Sequence, residues 1–105
     1  MFSFFSLDLT RCDLKQQGAE ALAACLHLND CLEHLILDRN KILNTGAIKL
    51  VEAIKKNPHR VLKSLHFKIS ETSNEVTMRL EEELQEIGVV PYSDSTPDST
   101  WRYKG

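Results

Sequence analysis

Residues Cys31 to Pro58, CLEHLILDRNKILNTGAIKLVEAIKKNP, form one complete unit, and the segments on either side read as copies of it. Displaced by 28 residues, Leu35, Leu37, Ile42, Gly46, Ala47, Leu50 and Ile54 fall on Leu7, Leu9, Leu14, Gly18, Ala19, Leu22 and Leu26. Displaced by 30 in the other direction, Leu32, Leu35, Leu37, Leu50 and Ile54 fall on Leu62, Leu65, Phe67, Leu80 and Leu84. Self-similarity at a fixed period of this length is the sequence mark of stacked supersecondary units. The repeats span residues 1–90, in units of about 4–30, 31–58 and 59–90.

Each unit changes periodicity halfway. Leu7–Asp8–Leu9 and Leu35–Ile36–Leu37 put a leucine at every second position, the pattern of a strand with one face buried. From Gln16 to Leu28 the spacing of Ala19, Leu22, Ala23, Cys25 and Leu26 is that of an amphipathic helix, with Cys25 inward. The middle unit predicts a helix from about Asn44 to Lys56, capped by Asn44 or Thr45 and stopped by Asn57–Pro58. Gly18 and Gly46 recur at one slot, where a side chain would collide with the neighbouring unit.

The third unit is less regular: Ser70, Thr72 and Val76 stand where the middle unit has asparagine, isoleucine and glycine. Thr72 with Glu75 fits a capping box at the start of a helix over about 73–87. Val76, Leu80, Leu84 and Ile87 line one side of that helix, and Glu81, Glu82, Glu83 and Glu86 coat the others, as a terminal unit requires. Residues 91–105, PYSDSTPDSTWRYKG, read as a flexible tail. At the other end Phe2, Phe4 and Phe5 would meet water along an open sheet edge, a pairing liability. The chain therefore reads as the C-terminal end of a longer repeat domain, or as one whose open edge is covered by a partner or by self-association.

A chain of 105 residues with 42% apolar and 27% charged residues suits one folded domain. Its net charge of −2 gives no pull toward nucleic acid or an anionic membrane. Five basic residues between Lys55 and Lys68 are followed by six acids between Glu71 and Glu86, so the neighbouring helix opposes phosphate binding. The opening MFSFFS is too short for a secretory signal, and no apolar run reaches the ~20 residues that span a bilayer. Cys12, Cys25 and Cys31 cannot all pair within one chain, and none lies in a Cys-x-x-Cys arrangement. They read as reduced, buried packing residues in a cytoplasmic protein.

The pattern L-x-x-L-x-L-x-x-(N/C)-x-L is complete from Leu32 to Ile42 and nearly so from Phe4 to Leu14. On these residues the chain resembles the leucine-rich repeat. The 28-residue length, with Cys12 and Asn40 in successive polar slots, resembles the ribonuclease-inhibitor-like subclass. That resemblance implies an α/β solenoid of about three β–α units, a short parallel sheet on its concave side and helices on its convex side. It also implies that Cys12 and Asn40 bond backbone groups at the turn after each strand. Its structural slots are Leu7, Leu9, Cys12, Leu35, Leu37, Asn40, Leu65 and Phe67.

The residues between the leucines face away from the helices. They form three rows: Ser6, His34, Ser64; Asp8, Ile36, His66; and Thr10, Asp38, Lys68. Strands lie ~4.8 Å apart, so Asp38 and Lys68 are within reach of each other. Asp8, Thr10, His34, Ile36, Asp38, His66 and Lys68 are the candidate binding residues, with Ile36 as an apolar anchor; the plain alternative is an ordinary solvated face. No Ser/His/Asp spacing, phosphate loop or HExxH motif is present, and neither a cofactor nor a metal site is expected. The expected function is a non-enzymatic protein-interaction module without nucleic-acid or membrane partners. A regulatory repeat of a GTPase-activating or cytoskeletal regulator is the alternative that the resemblance implies.

Overall fold

The computed structural model describes residues 5–68 and 70–93. Phe2, Phe4 and residues 94–105, on which part of the open edge and most of the expected tail fall, lie outside these.

Strands and helices alternate along the chain: β1 (Ser6–Asp8), α1 (Lys15–Leu26), β2 (His34–Ile36), α2 (Asn44–Lys56), β3 (Ser64–His66), α3 (Asn74–Glu86) and β4 (Val90–Tyr92). The four strands form one parallel sheet in the order β1-β2-β3-β4. Leu7 pairs with Leu35, Leu35 with Leu65 and Leu65 with Pro91. This is a small α/β arrangement compatible with a repeated β–α unit, and the register is the one that the 28- and 30-residue displacements predict.

The core lies between the sheet and the helices. Leu35, Leu37, Ile42, Leu65 and Phe67 meet Ala19, Leu26, Ala47, Leu50, Ile54, Leu80 and Leu84 there, all less than 9% exposed. In α2 the buried residues Gly46, Ala47, Leu50, Val51, Ala53 and Ile54 recur at helical spacing, leaving Lys49, Glu52, Lys55 and Lys56 for solvent. A Cβ on Gly46 would stand 3.0 Å from the Ala19 Cβ of α1, so this glycine allows the helices to approach. At Gly18 the obstacle is Leu14 of the same unit, at 2.9 Å, and not a neighbouring one.

Two asparagines join the units. Asn40 is 1% exposed. Its Oδ1 accepts from the backbone amides of Cys12 (2.8 Å) and Leu14 (3.2 Å), and its Nδ2 donates to the Leu9 and Leu37 carbonyls at 2.7 and 3.1 Å. At the opposite end of the units, Asn57 Nδ2 donates to the carbonyls of Leu26 and Asn29 at 2.8 and 2.7 Å. Both side chains satisfy backbone groups of the preceding unit that would otherwise be buried without partners.

Several expectations are corrected. Neither Asn44 nor Thr45 caps α2: the N-cap position is Leu43, without a side-chain bond, and Asn44 Oδ1 accepts from the Ser73 amide of the next unit. The cap of α3 is Ser73, whose side chain accepts from Val76 N; Thr72 instead bonds Ser70 and Thr77 through its hydroxyl. Cys12, Cys25 and Cys31 are exposed and unpaired: the first two hold slots that are buried in the next unit, at Asn40 and Ala53, whereas the slot of Cys31 is exposed there too, at His59. Cys12 also does not act as Asn40 does, since its Sγ reaches only the Thr10 carbonyl, at 3.8 Å. The chain stays in the sheet beyond residue 90: Pro91 and Tyr92 belong to β4, and Ser93 is 1% exposed, its hydroxyl bonded to Glu81.

Candidate interaction face

Side chains on a strand alternate between faces, so Leu7, Leu35, Leu65 and Pro91 turn to the helices and their neighbours turn away. The free face therefore carries two registered rows. One is Ser6, His34, Ser64 and Val90; the other is Asp8, Ile36, His66 and Tyr92. Parallel pairing runs one residue past the strands, through Leu9 N to Ile36 O and Leu37 N to His66 O, at 2.8 and 2.7 Å. Thr10, Asp38 and Lys68 then follow in the turns.

The rows are tied by side-chain bonds. His34 Nδ1 lies 2.7 Å from Ser64 Oγ, and the same hydroxyl is 3.4 Å from His66 Nε2. The His66 ring stacks on Tyr92 with centroids 4.4 Å apart. Only 4% of His66 is exposed, although it sits on the face away from the core. Burial pushes its pKa down to about 4, helped by the nearby charges of His34 and Lys68 and opposed by Asp8. His66 is therefore neutral at pH 7.

The remaining predicted residues split into separate groups. Asp8 is exposed, and its carboxylate accepts from the Thr10 hydroxyl (2.6 Å) and amide (2.9 Å), which hold its pKa below the usual range. Ile36 is half-buried between Asp8 and His66 in its row. Asp38 accepts from the backbone amide of Lys68 at 2.7 Å. Lys68 is 9% exposed, so it offers little surface to a partner. Of the structural slots, Leu35, Leu37, Asn40, Leu65 and Phe67 are buried, Leu9 is half-buried, and Leu7 is 39% exposed.

The sequence reading missed three participants. Tyr92 lies in the segment expected to be a tail, although Val89, at 3% exposure, and Pro91 continue the alternation after Gly88. The link from Ser64 to both histidines was not seen. Asn29 and Asn57, 28 residues apart like the leucines, form a further repeated slot: each Oδ1 accepts from backbone amides of the turn that follows it.

Among the described residues no helix is long and apolar enough to cross a membrane, and no three His, Cys, Asp or Glu side chains gather to hold a metal. Compared with known proteins, the chain matches no family model and no curated protein.

Proposed function

We propose that the chain is a non-enzymatic protein-binding module of the ribonuclease-inhibitor-like leucine-rich repeat type, a short solenoid that takes its partner on the free face of the sheet. The observation that carries this reading is the row Asp8, Ile36, His66 and Tyr92, held in register by parallel pairing. It sets Ile36, the neutral His66 ring and Tyr92 on three successive strands, with carboxylates at Asp8 and Asp38 near the margin. Interfaces commonly combine such a weakly charged centre with a polar rim. The Asn40 bonds support the repeat assignment, since they tie the turn after β2 to the turn after β1 and with it the spacing of those two strands. Three exposed, unpaired thiols suit a reducing compartment, and we place the protein in the cytoplasm.

A photo-crosslinking residue at position 36 tests the proposal against the same residue at Glu52, which is exposed on α2. Position 36 should yield one discrete protein adduct in a cell extract, competed by unmodified chain and lost when Tyr92→Ala is added. Identical adducts from both positions, or adducts indifferent to Tyr92, would overturn it.

A further inference from the structure

The two edges of the sheet differ. In β4, Val90 N bonds Lys63 O and Tyr92 O accepts from Phe67 N, so residues 90 and 92 face β3 and Pro91 presents its backbone to the outside. Proline has no N–H, and at this position it removes the central donor of the edge, a known protection against strand addition. In β1, Phe5 O accepts from Glu33 N and His34 N, and Leu9 N donates to Ile36 O. Odd-numbered residues thus face β2, and Ser6 and Asp8 turn N–H and C=O outward. No proline blocks that side.

The helix beside this edge differs from the other two as well. On α1 and just past it the exposed residues are Lys15, Gln17, Ala21, Ala24, Cys25, His27 and Leu28, so Lys15 is the one Lys, Arg, Asp or Glu among them. The exposed faces of α2 and α3 carry Lys49, Glu52, Lys55 and Lys56, and Glu75, Arg79, Glu82 and Glu86. Positions of α1 whose 28-residue counterparts are buried stand open: Cys25 is exposed where Ala53 is 8% exposed. On the sheet, Leu7 is 39% exposed where Leu35 is fully buried. A helix that is weakly charged on its outer side is built to be covered.

We propose that the β1–α1 side is the two-fold interface of a homodimer, the occupant being the same side of a second copy of this chain. Because Pro91 closes the other edge, a head-to-tail contact lacks a receptive strand, and the isologous contact remains. Antiparallel pairing of Ser6 with Asp8 of the second copy uses the outward backbone groups and brings the two Leu7 side chains opposite each other. The two α1 helices then run antiparallel. The end of one that carries Arg11 and the Lys15–Asp13 ion pair meets the Asp30 end of the other, opposite in net charge and favourable to both helix dipoles. This proposal does not depend on the sheet-face reading, since it uses a different surface.

Sedimentation of the 12.0 kDa chain tests it. A concentration-dependent dimer is expected, with dissociation constants raised at least about tenfold by Ser6→Pro, which copies the device of β4, and by Ala21→Glu. Circular dichroism should be unchanged in both variants. With Cys12, Cys25 and Cys31 changed to serine, Leu7→Cys should form a disulfide-linked dimer in air, and Val90→Cys should not. A monomer at all concentrations, a dimer indifferent to both substitutions, open-ended polymers, or equal crosslinking at positions 7 and 90 would each overturn the proposal.

Discussion

Asn57 Nδ2 lies 2.8 Å from the carbonyl oxygen of Leu26, the last residue of the preceding helix. The same amide reaches Asn29 O, and Asn57 Oδ1 accepts from His59 N at 2.7 Å. One side chain thus ends α2 and satisfies the C-terminal carbonyls of α1. Asn40 does the equivalent at the other end of the units, where strands pass into helices.

Replacing Asn57 with alanine leaves the Leu26 and Asn29 carbonyls without these donors and should lower stability by about 2–3 kcal/mol. Asn40→Ala removes more bonds at 1% exposure and should cost about 3–5 kcal/mol, a large part of what a domain of this size has. Asn40→Asp should be at least as damaging, because an acceptor then faces the Leu9 and Leu37 carbonyls. Urea midpoints of the variants check the order; an Asn40→Asp protein as stable as the parent would refute this account of the site.

The repeat was legible because the leucine periodicity is imposed by burial, and burial acts on every unit alike. Leu35, Leu37, Leu50 and Ile54 are buried where the displacement places them. What periodicity could not show was which bonds run between units. The Asn44 bond to the Ser73 amide and the Asn57 bond to Leu26 O join residues 29 and 31 apart in the chain. The thiols misled for a related reason: Cys25 occupies a slot whose burial depends on the neighbouring unit and not on the residue type. On the candidate face the alternation gave the rows, but the burial of His66 depends on Tyr92, in a segment whose composition resembles a tail.

His66 makes stability depend on pH. Burial holds its folded pKa at about 4, below its ordinary value of 6.5, so between these values the unfolded chain binds more protons than the folded one. Stability should therefore be full above pH 6.5 and fall as pH drops through that window, by on the order of 1–3 kcal/mol. Asp8, with its own pKa lowered, adds its loss at lower pH, in the carboxylate range. Denaturation curves of parent and His66→Gln at pH 7, 5.5 and 4.5 measure the difference. The variant should be nearly flat where the parent declines, and equal slopes would refute the assignment.

The turns after β1 and β2 hold non-glycine residues in the left-handed region: Arg11 and Asp13 at φ 58° and 55°, Arg39 and Lys41 at 62° and 55°. The same two slots recur 28 residues apart, so the strain belongs to the turn. Lys41 is exposed. Lys41→Gly removes a conformational cost of about 1–2 kcal/mol and adds about 0.5–1 kcal/mol of unfolded-chain entropy, for a net gain of about 0.5–1 kcal/mol. Lys41→Val should instead destabilise, because a β-branched residue fits this region poorly. Thermal melting of the two variants in opposite directions is the expected result.

Helices α1 and α2 pack closely at Gly46, where an added Cβ would stand 3.0 Å from Ala19 Cβ and 3.4 Å from Ile42 Cγ2. Both neighbours are almost fully buried, at 0% and 1% exposure, so neither can move into solvent. Helix propensity alone favours Gly46→Ala by about 1 kcal/mol. Overpacking costs about 1–3 kcal/mol and should outweigh it, leaving a net loss of about 1 kcal/mol. Ala19→Gly removes the Cβ that the new methyl meets. The double variant Gly46→Ala with Ala19→Gly should therefore be more stable than the sum of the single changes predicts, by about 1 kcal/mol or more. Strict additivity in that cycle would mean that the methyl is accommodated elsewhere and that the α1–α2 contact does not require glycine.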